Sequence, residues 1–320
     1  MRKWLNAALL LALISDATAY AQSFPSRPLR LVVPYAAGGS TDVLARLVAQ
    51  RMTEMLGQPV VVDNRLGAGT LIATEIVAHA AADGHTLLMA TPPLVVADAL
   101  YKSVPFNVAR DFAAVTNIAG TSNVLVVHPS IPVQSARELI VLAKAQPGQL
   151  TYGSSGIGGA SHLAVALFAS LAGIDLLHVP YKGGALAVND LLGGRLSLMF
   201  ANLTTVQSHI KSGKVRALAM GTARRSAVMP DMPTVAEAGV VGYEANNWNG
   251  VVVPAATPRV VIDRLHQTIR DLLAAPALRS RLLESAFEPV ADTPDSFRRY
   301  LETERLKWAR VVRDAGIRPE

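Results

Sequence analysis

Short runs of β-branched and aliphatic residues alternate along this chain with longer stretches of helical period. The runs are 29–35 (LRLVVPY), 59–63 (PVVVD), 86–90 (TLLMA), 124–128 (VLVVH), 150–154 (LTYGS), 176–181 (LLHVPY), 196–200 (LSLMF), 215–220 (VRALAM) and 251–253. Several are continuously apolar, the pattern of strands covered on both faces. Helical stretches lie between them near 41–56, 70–82, 134–145, 160–172, 185–193, 203–212, 258–274 and 294–314. Such alternation predicts an α/β protein whose mostly parallel sheets are flanked by helices. No repeat of solenoid period is evident.

A chain of 320 residues, 51% hydrophobic, is long enough for two cores. Two sheets joined by two chain crossings make a clamshell. The crossings are expected near 119–126 and 246–253. That gives a discontinuous first domain, 24–124 plus 250–320, and an inserted second domain, 125–249.

The N-terminus reads as an export leader. Arg2 and Lys3 precede an apolar stretch at 4–14 that is too short to span a bilayer. Small-x-small sites follow at Ala17-Thr18-Ala19 and Ala19-Tyr20-Ala21, and cleavage is expected after Ala21. The mature protein, starting at Gln22, is then periplasmic. The zero cysteine count excludes disulfide frameworks, thiolate metal sites and cysteine nucleophiles. The formal charge of +6 invites a nucleic-acid reading, but the basic residues are scattered and no zinc finger or basic heptad region is present. A basic surface on an exported protein better suits small anions.

Three Gly-rich segments each follow an expected strand and open an expected helix. They are Ala36–Asp42 (AAGGSTD), Tyr152–His162 (YGSSGIGGASH) and Tyr181–Ala185 (YKGGA). Ser40, Thr41 or Asp42 is expected to cap the first helix, and Gly57 to end it in a left-handed turn. Such loops aim backbone N–H groups and the positive end of a helix dipole at one point, while serine and threonine hydroxyls add donors. Ligands of open α/β sheets bind beyond the carboxyl ends of strands. Loops on opposite domains would therefore make an anion clamp across the cleft. Tyr35 and Trp248 are candidates for its walls, although large aromatics more often serve the core.

Catalytic signatures fail on spacing. A GxSxG reading from Gly153 meets Ile157, and GxGxxG from Gly156 meets Ser161. Before Gly213-Lys214, Ser208 stands where a P-loop needs its first glycine. The seven histidines show no HxH or HExxH spacing, so no metal or other cofactor is expected. An enzymatic alternative remains, an exported serine hydrolase using Ser154 or Ser155 with His162.

The blocks RPLRLVVPYAAGGSTDVLARLVA, VVDNRLGAGTLIATEIVAHAAADGHTLLMAT, LTYGSSGIGGASHLAVALFASLAGIDLLHVPYKGGALAVNDLLGGRLSLMF and HIKSGKVRALAMGTARRSAVMPDMPTVAEAG occur in this order. Together they resemble the Bug family, the extracytoplasmic solute-binding receptors of tripartite tricarboxylate transporters. The resemblance implies a two-domain periplasmic-binding-protein clamshell that takes up small carboxylates and is not an enzyme. It implies ligand contacts at Tyr35, Ala37, Ser40, Thr41 and Asp42 in the first loop. In the second domain it implies Ser154, Ser155, Gly156, Tyr181, Lys182 and Gly183. The membrane subunits of such a transporter, or a sensor, are the implied protein partners, and a monomer is expected. Three positions depart from the family pattern. Thr70 stands where a third glycine is usual, Leu66 replaces a usual proline, and Ala201 stands where an aspartate is common. Ala201 takes away an anionic contact for an amino group, which argues against an amino-acid ligand.

Overall fold

The computed structural model describes residues 24–181 and 183–317. The expected leader, and Lys182, lie outside the described residues.

Eleven strands form two sheets. The first contains β1 (Leu29–Val33), β2 (Val60–Asn64), β3 (Thr86–Ala90), β4 (Phe112–Thr121), β10 (Asn247–Pro254) and β11 (Phe287–Pro289), in the order β11-β4-β10-β3-β1-β2. The second contains β5 (Asn123–Val127), β6 (Thr151–Ser154), β7 (Leu177–Pro180), β8 (Leu198–Asn202) and β9 (Arg216–Met220), in the order β7-β6-β8-β5-β9. Helices flank both sheets, so the α/β clamshell class stands.

The sheets are mixed, where mostly parallel ones were expected. β1 pairs in parallel with β2 and β3, and β6 with β7 and β8. Pairing turns antiparallel where the crossing strands enter: β10 against β3 and β4, and β5 against β8 and β9. β4 and β10 carry the chain out of and back into the first sheet, so they run against each other.

β1 shows why the strands form where they do. Leu29, Leu31, Val32 and Val33 are all buried, because helices cover both faces of the sheet and the run has no polar side to expose. The helix Ser40–Leu56 follows, burying Leu44, Ala45, Val48 and Met52 along one stripe against that sheet. It ends at Gly57, which adopts the expected left-handed conformation with φ 68° and donates its N–H to the Thr53 carbonyl. The C-terminal helix Pro294–Asp314 packs on the helix Pro93–Leu100 and on β4, and also reaches the helix Ala160–Ala172 beside the second sheet.

Between the sheets the chain crosses with a single residue, Ser122, separating β4 from β5. Side chains tie the crossing together. Asn202 Nδ2 donates to Thr121 Oγ1 at 3.1 Å, and Asn247 Nδ2 donates to Asn123 Oδ1 at 3.0 Å. Glu288 on β11 accepts from the hydroxyls of both Ser122 and Ser226 through one oxygen. Trp248 is in the core, edge-on to Phe297 and Tyr300 and 1% exposed, so it is no cleft wall.

Candidate functional site

The first loop, Ala36–Gly39, leaves the carboxyl end of β1 and opens the helix at Ser40. Its shape is set by one buried carboxylate. Asp42 Oδ2 accepts from the Gly38 N–H and from Arg46 Nε, each at 2.9 Å, and Oδ1 accepts from Asn64 Nδ2 at 2.9 Å. Asn64, at the end of β2, also donates to the Tyr35 carbonyl at 2.9 Å. Burial pushes the Asp42 carboxyl up, but Arg46, the Gly38 N–H and Asn64 outweigh it and hold it below its ordinary range.

Asp42 thus spends its acceptors on the loop. The residue at the N-cap is Gly39, and no side chain caps the helix, contrary to the expected Ser40, Thr41 or Asp42 cap. The local reason is that Asp42 turns back to Gly38 across the loop. Ser40 and Thr41 are half-buried at the helix mouth, and Ala37 is exposed. Tyr35 is half-buried, its hydroxyl 3.2 Å from Thr91 Oγ1, and burial raises its pKa.

The second loop leaves β6 and opens the helix Ala160–Ala172, again with a glycine, Gly159, at the N-cap and no side-chain cap. Ser154 is fully buried. Its Oγ lies 2.7 Å from His178 Nε2, accepts from the Gly156 N–H at 3.2 Å, and lies 3.2 Å from the Gly156 carbonyl. Ser155 is exposed; its N–H donates to Ser161 Oγ at 2.8 Å, and the two hydroxyls are 3.1 Å apart. The Gly158 N–H donates to His162 Nδ1 at 2.9 Å.

The third loop closes on the second. The Tyr181 N–H donates to the Ser154 carbonyl at 3.1 Å. Gly156 has φ 126°, a left-handed conformation that suits glycine, and a Cβ there would meet the Tyr181 carbonyl at 3.4 Å. The Tyr181 hydroxyl donates to Asp190 at 2.7 Å; burial first, then Asp190, pushes its pKa up to about 12. Gly183, φ 126°, forms the N-cap of Gly184–Leu192 without a side-chain cap. The structure therefore brings Ser154, Ser155, Gly156, Tyr181 and Gly183 to the carboxyl ends of β6 and β7. Tyr35, Ala37, Ser40, Thr41 and Asp42 gather at the end of β1.

The hydrolase alternative finds no support in this arrangement. His162 Nδ1 is occupied by the Gly158 N–H, and the Ser154 hydroxyl meets His178 instead. Sequence reading missed that His178–Ser154 bond. The signal available was the pairing of β6 with β7, which sets Tyr152 beside His178 and brings Ser154 level with Pro180. Among the described residues no three His, Asp or Glu side chains gather as a metal site requires. Two cavities, of about 380 and 390 Å³, lie away from the first loop. One is lined by Ile210, Met229 and Met232, and the other runs behind His162.

Three uncapped helix mouths, one beside the first sheet and two beside the second, fit a receptor for anions. The family model described as tripartite tricarboxylate transporter family receptor matches residues 44–317. The chain belongs to that family. Members of the receptor family are periplasmic solute-binding proteins. Protein BugT of Bordetella pertussis is 38% identical to this receptor over 300 residues, 93% of this chain and 92% of its own. Among solved structures, an R. palustris protein with adipate has a TM-score of 0.83 at 38% identity, covering 93% of this chain and 100% of that one. MatC from Rhodopseudomonas palustris, with bound malate, has a TM-score of 0.78 at 30% identity, covering 90% of this chain and 100% of its own.

Proposed function

We infer that this receptor captures a small dicarboxylate between its two sheets and delivers it for uptake, without transforming it. The observation that carries this reading is the set of three helices, Ser40–Leu56, Ala160–Ala172 and Gly184–Leu192, that open at glycine N-caps with no capping side chain. A carboxylate supplies the acceptors that such helix ends lack. The adipate and malate held by its relatives are acids of this kind.

Within the reading, Ser40, Thr41 and the backbone at Ala37 grip from the first sheet, with Tyr35 as a wall. Ser155, the Gly156 backbone and the Gly183 backbone grip from the second, with Tyr181 beside them. Asp42 and Ser154 contribute by shaping their loops, since their polar atoms are already engaged. The two sheets are taken as the cores of two domains, 24–124 plus 250–320 and 125–249. A divide at Ser122 and just before Asn247 would keep β5 and β10 each within one domain, which supports this division with slightly earlier crossings. The receptor acts as a monomer after loss of its leader near Ala21. Its partners are the membrane subunits of a tripartite transporter or a sensor.

Calorimetry against adipate, malate, citrate and an aromatic acid tests the reading. At least one acid is expected to bind, and Ser40→Ala, Thr41→Ala or Ser155→Ala to weaken it roughly tenfold to a hundredfold, the loss of one charge-assisted hydrogen bond. A best ligand without an acidic group would overturn the reading, as would three alanine variants that all bind like the parent.

A further inference from the structure

The second loop rests on two imidazole rings. His162 and His178 stack nearly parallel, 4.1 Å between centroids and 3° between planes, although one comes from a helix and the other from β7. Tyr152 packs nearly parallel to both imidazoles, 4.7 Å from His178 at 14° and 6.3 Å from His162 at 15°, so the three rings form one compact cluster. Each imidazole sends one nitrogen into the loop. His162 Nδ1 takes the Gly158 N–H at 2.9 Å, and His178 Nε2 meets Ser154 Oγ at 2.7 Å. Ser154 Oγ in turn takes the Gly156 N–H. The loop glycines 156 and 158, both at positive φ, are thus fixed through the ring pair, and with them the direction of the helix mouth at Gly159.

An N–H pointing at His162 Nδ1 requires a lone pair there, so this ring is neutral with its proton on Nε2. The stack also disfavours charge on both rings at once, since two imidazolium rings in contact would repel. The other titratable groups near the rings are Tyr152 and, around the cavity behind His162, Asp175 and Asp314.

We propose that His162 and His178 are positioning residues for the ligand: a neutral, stacked imidazole pair that holds Ser154, Gly156 and Gly158 in the geometry that grips the carboxylate. This rests on the carboxylate reading above and adds to it the residues that set the shape of the second half of the site. Neither ring needs to touch the ligand.

Isosteric replacement separates this role from simple packing. Asparagine places an amide oxygen near the position of histidine Nδ1, and glutamine places its amide near Nε2. The full mature protein would be studied as His162→Ala, His162→Asn, His178→Ala and His178→Gln. Hydrogen exchange of the Gly156 and Gly158 amides would be followed, together with calorimetry against adipate and malate. In the alanine variants the Gly156 and Gly158 amides are expected to exchange at least tenfold faster than in the parent, and affinity to fall at least tenfold. His162→Asn and His178→Gln are expected to restore both to within about threefold. The proposal is overturned if the alanine variants keep parental exchange at these two glycines. It is equally overturned if asparagine and glutamine are no better than alanine. Should neither acid bind the parent protein, the carboxylate reading loses its support, and the exchange measurements decide the positioning role by themselves.

Discussion

The two halves of the site present the same helix mouth but hold it with opposite electrostatics. The first loop is braced by a buried anion, Asp42, gripped by Arg46, Asn64 and a backbone N–H. The second is braced by two neutral rings and a buried hydroxyl. A charged brace survives until acid protonates a carboxyl that its partners hold below the usual range. A neutral imidazole brace begins to lose stability earlier, because the unfolded chain protonates its histidines nearer to neutral pH than the folded one does. Equal geometry therefore hides unequal tolerance of pH.

The largest way to break this comparison is Asp42→Ala. It leaves the Gly38 N–H, Arg46 and Asn64 without their shared acceptor, while the exposed Arg46 and Gly38 can turn to water. A loss of about 2 kcal/mol of stability is expected from urea unfolding, since the loop loses its hydrogen bonds to a charged acceptor. A loss below about 1 kcal/mol would show that the first loop holds its shape by other means.

Acid titration comes next. Burial first, then the neighbouring His178, lowers the His162 pKa to about 4, and burial lowers that of His178. Unfolded, both titrate near about 6.5. Between that value and about 4 the unfolded chain binds more protons than the folded one, so stability falls as pH falls through this window. A decline on the order of 2 kcal/mol from pH 7 to pH 4.5 is expected for the parent, and a clearly smaller one for His162→Asn. The Asp42 contribution, fully present above its ordinary value, is lost only at lower pH. Equal declines in parent and variant would remove His162 as the acid-sensitive group.

The smallest expected effect concerns the turn beside the first loop. Gly67, Ala68, Gly69 and Thr70 all have positive φ, and Thr70, at 87°, is β-branched and 7% exposed. A β-branched side chain is strained in that region, and glycine is not. Thr70→Gly is expected to raise the stability of the first half by about 1 kcal/mol, read as a higher midpoint in urea. A destabilised variant would mean that packing of the threonine outweighs its backbone strain.

Much of this architecture was legible before any coordinates. Short β-branched and aliphatic runs located nine of the eleven strands, most clearly where a strand such as β1 is covered on both faces and has no polar side to blur the pattern. β4 escaped because FAAVTNIAGT mixes alanine, threonine, asparagine and glycine and carries no period. The helix Pro93–Leu100 escaped because PLVVADAL reads as a short apolar run of either kind. In the site, glycine spacing marked all three loops, and Thr70 was marked by the glycine it replaces. The internal roles of Asp42, Ser154 and the histidines were not legible. Each depends on a partner brought in by sheet pairing or by the turn itself, and nothing in local spacing distinguishes an acceptor facing the loop from one facing a ligand.

The order of strands in the first sheet also bears on how the chain comes into being. β4 has no neighbours there except β10 and β11, which belong to the last quarter of the sequence. During synthesis, then, the sheet begun by β1, β2 and β3 stays unfinished until residues 247–289 emerge, whereas all five strands of the other sheet lie within 123–220. Contacts that must wait for distant chain form slowly. The second half can close on its own while the first remains open at its centre.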